Sequence, residues 1–97
     1  MIRTFRTKTA EDVFHGNFAS KAARRIPAAI QHVSSRKLQM VNLAADLNDL
    51  AVPTGNMLEA LKGDLKGWHS IRVNQQYRIL FRWVDRAAED VDIVDYH

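Results

Sequence analysis

The sequence predicts an α+β fold: two helices packed on one face of a mostly antiparallel sheet, in the order β-α-α-β-β-β. Three observations carry this. Apolar residues recur at helical spacing from Ile30 to Leu47. After Gly55 the period changes to two, in "WHSIRV", "QYRILFRWV" and "DVDIVDY". Pro53 and Gly55 lie where the period changes, as a helix stop requires. One helical half followed by a run of strands suits helices covering one side of an antiparallel sheet.

The elements follow in order. "MIRTFR" alternates Ile2 and Phe5 with Arg3 and Arg6 and reads as a short first strand. "TAEDVFHG" reads as a short helix with Thr9 as N-cap, acids in its first turn and Gly16 as its stop. "NFASKAARR" is polar, small and basic, and carries no clear element. Pro27 suits the first turn of the second helix, whose apolar stripe is Ile30, Val33, Met40, Leu43, Ala44 and Leu47. "NQ" within "VNQQY" reads as a tight hairpin turn, since asparagine tolerates positive φ. "DRAAED" joins the last two strands.

With 97 residues, 46% of them hydrophobic and 26% charged, the composition suits a single small globular domain spanning 1–97. No run approaches the roughly 18 apolar residues that a membrane span needs. The charged opening "MIRTFRTKTAEDVFHG" is not a secretory signal. There is no cysteine, which removes disulfides, thiolate catalysis and Cys-based zinc sites. The expected location is cytoplasmic.

The formal charge is +3 and unevenly placed. Residues 1–37 hold eight Lys/Arg against Glu11 and Asp12 alone, whereas Asp85, Glu89, Asp90, Asp92 and Asp95 cluster at the end. A basic body suggests a polyanion, nucleic acid first; a solvated basic surface is the plainer alternative. No Gly-rich phosphate loop, HExxH or Gly-x-Ser-x-Gly is present, and His15, His32, His69 and His97 lack metal-ligand spacing. No cofactor or metal is implied.

What remains is polar chemistry on the strands. In "QYRILFRWV", Tyr77, Ile79, Phe81 and Trp83 share the parity that suits the core; Arg78, Leu80 and Arg82 share the other. An open face carrying Arg72, Arg78, Arg82 and Tyr96 follows. Arg72 and Arg82 have a structural alternative, pairing with Asp92 or Glu89 across strands. Arg78 has one too, a bridge to Asp95. As an exposed arginine, Arg78 is expected to add little stability. In "LKGDLKGWHS", Lys62 and Lys66 flank a glycine-rich turn, and Trp68 is either a half-buried anchor or a base-stacking ring.

Together, "LEALKGDLKGWHSIRVNQQYRILFRW", the terminal "VDIVDYH" and the opening "MIRTFRTKTAEDVF" resemble the HigB-type toxins of bacterial toxin–antitoxin pairs, within the RelE-like superfamily. The resemblance spans nearly the whole chain and is weakest at residues 17–35. It implies the same α+β fold. It implies metal-independent endoribonucleolytic cleavage of mRNA on the ribosome. It also implies a helix-turn-helix antitoxin that neutralises the toxin, with operator DNA reached only through that partner.

Residue by residue, the resemblance places Lys62 at a site lysine, Arg78 at a phosphate-binding arginine, and Tyr96 and His97 at the terminal site residues, with Asp95 beside them. Glu59 stands where relatives have histidine, which leaves the general base open between Glu59, if buried, and His97. Arg72, Arg82, Lys66 and Trp68 are expected to contact RNA. The alternative reading is a non-catalytic RNA- or ribosome-binding module using the same basic face.

Overall fold

Four antiparallel strands in the order β1-β2-β3-β4 form the sheet of the computed structural model, which describes residues 1–96. They are β1 (Glu59–Ala60), β2 (Trp68–Arg72), β3 (Tyr77–Val84) and β4 (Ala87–Asp95). Helices α1 (Lys8–Phe14) and α2 (Gln31–Leu43) precede them. Among the described residues, no helix is long and apolar enough to cross a membrane. The α+β expectation holds, with changes at several elements.

The first strand shrinks to two parallel bridges onto β4, Ile2 to Ala88 and Phe5 to Val91. The interruption has a local cause. Asp90 has φ 52° where β4 carries an extra residue against β3, and its N–H takes the Thr4 Oγ1 rather than a backbone carbonyl. The two-residue β1 was not foreseen; it extends the sheet beyond β2.

Thr7, not Thr9, caps α1: its extended backbone lets Oγ1 accept from the Ala10 N–H at 3.2 Å. Thr9 is buried inside the helix and donates to the Ala22 carbonyl at 2.8 Å. That bond helps order the 17–26 segment, where Ala23–Arg25 form a 3-10 turn. Gly16 takes φ 76° just past the helix, the stop expected of it.

The α2 stripe is offset from the predicted one. Gln31, Ser34, Leu38 and Val41 are buried, and Leu43 is 79% exposed. The helix ends there because Ala44 turns extended and Asp46 starts a new 3-10 turn, Leu47–Ala51. Asp46 and Asp49 close that turn with a reciprocal capping box.

The 85–86 turn is also tighter than expected. Only Asp85 and Arg86, both at positive φ, separate β3 from β4, and "AAED" belongs to the strand. At the other hairpin Asn74 works through its side chain, not positive φ: Oδ1 accepts from the Gln76 and Tyr77 N–H groups.

The core lies between helices and sheet. Val13, Leu38 and Val41 meet Ile71, Ile79, Phe81, Val91 and Ile93, all buried. The strand pairings put Ile71, Ile79 and Ile93 on this side. Glu59, Ser70, Arg72, Arg78 and Leu80 therefore share the opposite face.

Candidate functional site

Arg72 and Arg78 are direct cross-strand partners on β2 and β3. A hollow of about 260 Å³ opens beside them, lined by Met57, Arg72, Asn74, Gln75, Arg78 and Tyr96.

Arg78 faces the side that strand parity predicts, yet it is 6% exposed, not solvent-exposed. Sequence parity gives a face but not its cover. Here the neighbouring strand and the 57 loop close over the guanidinium. Nε donates to the Ser70 Oγ at 2.8 Å, and Nη2 donates to the Ser70 carbonyl at 3.3 Å and to the Met57 carbonyl. Nη1 takes none of these acceptors. Its acidic neighbour is Glu59, at 4.0 Å, not Asp95. The Tyr96 ring completes the enclosure, with the Arg78 Cζ 5.6 Å from its centroid. The guanidinium is thus held by protein through Nε and Nη2, and Nη1 is left with Glu59 as its neighbour.

Met57 has φ 46° and ψ 55°, a left-handed conformation costly for a side chain with a Cβ. It is 50% exposed, and its Sδ sits 3.4 Å from the Arg72 Nη1. Arg72 forms no ion pair among the described residues, so the expected pairing with Asp92 or Glu89 is absent. Its β3 partner is Arg78, which places no acid opposite it.

Arg82 behaves as its structural alternative foresaw. Nε and Nη2 bond Asp90 at 2.9 Å and Glu89 at 3.1 Å. Trp68 is half-buried, with the Arg6 and Arg82 guanidinium carbons each 5.8 Å from its ring. It lies four residues along β2 from Arg72, roughly 13 Å at strand rise. The structure thus does not bring Trp68 and Arg82 into the hollow.

Glu59 lies beside Arg78, whereas Lys62 lies toward the Trp68 end of β2, where the adjacent Leu61 N–H donates to the Trp68 carbonyl at 2.9 Å. The Glu59 side chain is 45% exposed, so the burial on which a role as base depends is absent. Lys62 is exposed and precedes the 3-10 turn Gly63–Leu65; Lys66 is exposed just after it. Asp95 pairs with Tyr77, which puts it on the parity opposite Tyr96, and it accepts from the Gln76 Nε2 at 3.0 Å. His97 lies outside the described residues.

Ser70, Met57 and Asn56 were not foreseen. Ser70 carries a readable signal, since it shares the parity of Arg72 in "WHSIRV". Met57 carries none: a left-handed methionine has no compositional mark. Asn56 is fully buried behind Met57 and bonded to the Leu50 carbonyl at 3.1 Å and to the Lys37 ammonium. Burial, and then the nearby Arg36 charge, pull the Lys37 pKa below its ordinary value.

Known proteins resemble this chain throughout. A family model described as "RelE-like toxin of type II toxin-antitoxin system HigB" matches residues 3–97. "Toxin HigB-1" of Vibrio cholerae is 43% identical over 88 residues, 91% of this chain and 90% of the relative. "Endoribonuclease HigB" of Proteus vulgaris is 29% identical over the full length of both chains. Among solved structures, a chain of the YoeB–YefM complex from Staphylococcus aureus superposes with a TM-score of 0.60 at 16% identity. The match covers 100% of this chain and 98% of that one, and speaks to the fold.

Proposed function

Since the chain belongs to the HigB family of RelE-like toxins of type II toxin–antitoxin systems, we propose that it is an endoribonuclease that cleaves mRNA on the ribosome without a metal. The observation that carries this is the Arg72–Arg78 pair. Like charges directly opposite on adjacent strands repel. Here they flank a hollow, and Glu59, the acid paired with Arg78 among the described residues, is 45% exposed and 4.0 Å away. An anion between them removes the repulsion, and the scissile phosphate is such an anion.

RNA supplies its own nucleophile. The 2′-oxygen attacks phosphorus as its proton leaves, the phosphorus–O5′ bond breaks, and O5′ takes a proton. The products are a 2′,3′-cyclic phosphate and a 5′-hydroxyl. Arg78 Nη1 and the Arg72 guanidinium stabilise charge on the phosphorane oxygens. The Tyr96 ring offers a stacking surface beside that phosphate. His97, next in the chain, is the group whose titration range suits proton removal. Lys62 adds positive charge along the path of the RNA, and Lys66 contacts its backbone. Asp95 accompanies the terminal pair.

An antitoxin with a helix-turn-helix is the partner this reading requires, with operator DNA bound through it and the toxin acting in the cytoplasm. The family description and the "Endoribonuclease HigB" relative support the reading. The test is cleavage of a defined message, with a chelator present, on ribosomes and free in solution. Cleavage only on ribosomes is the expected result. Tight RNA binding with no cleavage in either arm would favour a non-catalytic binding module instead.

A further inference from the structure

Arg78, which lines the hollow, is held partly from outside the sheet. Two of its acceptors belong to Ser70 on β2. The third, the Met57 carbonyl, comes from the loop between α2 and β1. That carbonyl points at Nη2 while Met57 is in the left-handed region, with φ 46°. Methionine does not hold this conformation by preference.

The restraint is Asn56. Its side chain is 0% exposed and its hydrogen bonds are met on both sides. Nδ2 donates to the carbonyls of Leu50 at 3.1 Å and Val52 at 3.5 Å, and Oδ1 accepts from the Lys37 Nζ of α2. Backbone bonds from Asn56 to Pro53 at 3.0 Å and from Met57 to Thr54 at 3.0 Å close the 3-10 turn Thr54–Asn56. A buried amide with all its partners satisfied rigidifies the backbone around it.

We propose that Asn56 is a positioning residue: anchored to Lys37 and Leu50, it fixes Met57 so that the Met57 carbonyl aligns the Arg78 guanidinium with Nη1 toward the scissile phosphate. This rests on the endoribonuclease reading above. It assigns to Lys37 and Asn56 a role in turnover although neither lines the hollow. Transition-state stabilisation depends on donors already aimed before charge develops. A shift of about 1 Å in Arg78 is therefore enough to cost on the order of 10² in rate. Substrate affinity depends on charge at longer range and is less sensitive.

The experiment is single-turnover cleavage on mRNA-programmed ribosomes, with melting curves and RNA affinity measured in parallel. The variants are Asn56→Ala, Lys37→Met, Asn56→Ala with Met57→Gly, and Arg78→Ala. Asn56→Ala is expected to lower the maximal rate by roughly 10–10², with the half-saturating ribosome concentration within about twofold of the parent. Lys37→Met should lose rate in the same direction, by less. Adding Met57→Gly should recover part of the Asn56→Ala loss, because glycine adopts positive φ without strain and keeps the carbonyl. Overall loss of stability would not give this split between rate and affinity. Folded Asn56→Ala cleaving at the parent rate, while Arg78→Ala is inactive, overturns the positioning role. If Asn56→Ala does not fold, a folded Lys37→Met with the parent's maximal rate overturns that role in its place. Normal cleavage by Arg78→Ala would instead overturn the endoribonuclease reading on which the proposal rests.

Discussion

Arg78 donates through Nε to the hydroxyl of Ser70, one strand away, at 2.8 Å, and both residues are buried. The guanidinium is thus part of the sheet's packing as well as a feature of its open face. This dual position means that loss of activity and loss of stability have to be separated at this residue.

Arg78→Ala should destabilise the fold. It leaves the Ser70 hydroxyl and the Met57 carbonyl without their donor, at a cost of about 1–3 kcal/mol. In a domain this small each kcal/mol lowers Tm by about 4–8 °C. Thermal unfolding of the variant measures this; an unchanged Tm would mean the buried hydrogen bonds add nothing.

Arg72→Ala should act differently. Arg72 makes no ion pair among the described residues, so stability should hold within about 0.5 kcal/mol. RNA affinity should fall, and the slope of log affinity against log salt should flatten by about 0.7, one phosphate contact on a single strand. Binding isotherms across a salt series decide it. Arg82→Ala, whose guanidinium bonds Glu89 and Asp90, should leave that slope unchanged.

Much of this was legible in sequence, and the rest was not for identifiable reasons. The alternation in "QYRILFRWV" placed Arg78 on the face away from Ile79 and Phe81, and the pairing agrees. Its burial was invisible because the covering atoms come from Ser70 in another strand and from a loop carbonyl. Leu43 fits an apolar stripe in one dimension, but the helix ends beneath it and leaves it 79% exposed. That end was written in the sequence: Asp46 and Asp49 stand at capping-box spacing inside a run that also reads as helix. The cap assigned to Thr9 falls on Thr7, because it is Thr7 whose backbone is extended.

Glu59→Gln should strengthen RNA binding and leave cleavage within a few-fold of the parent. The carboxylate is 45% exposed and lies 4.0 Å from Arg78 Nη1, where it competes with a phosphate. Titration of the variant with RNA, followed by its cleavage rate, tests both halves. A loss of roughly 10²–10⁴ in rate with binding intact would make Glu59 the general base instead.

His69 predicts a pH dependence of stability. It stacks on Phe81 at 6.1 Å on the helix side of the sheet, and burial lowers its pKa from 6.5. A depressed folded pKa means that the unfolded chain binds the proton first. Stability should therefore fall as pH drops below about 6.5 and level off once pH is below the folded value. Urea unfolding of the parent and His69→Leu between neutral and mildly acidic pH should show this limb in the parent only. An identical limb in both would assign it elsewhere.

The central claim is that Arg78 acts on the scissile phosphate through a fixed guanidinium. The most direct measurement is single-turnover cleavage of ribosome-bound mRNA by Arg78→Lys, normalised to the folded fraction. Lysine keeps the charge but cannot hold Ser70 and Met57 on one side while presenting a planar donor on the other. The account predicts a loss of at least about 10² in rate with RNA still bound. Cleavage at the parent rate by folded Arg78→Lys would contradict it.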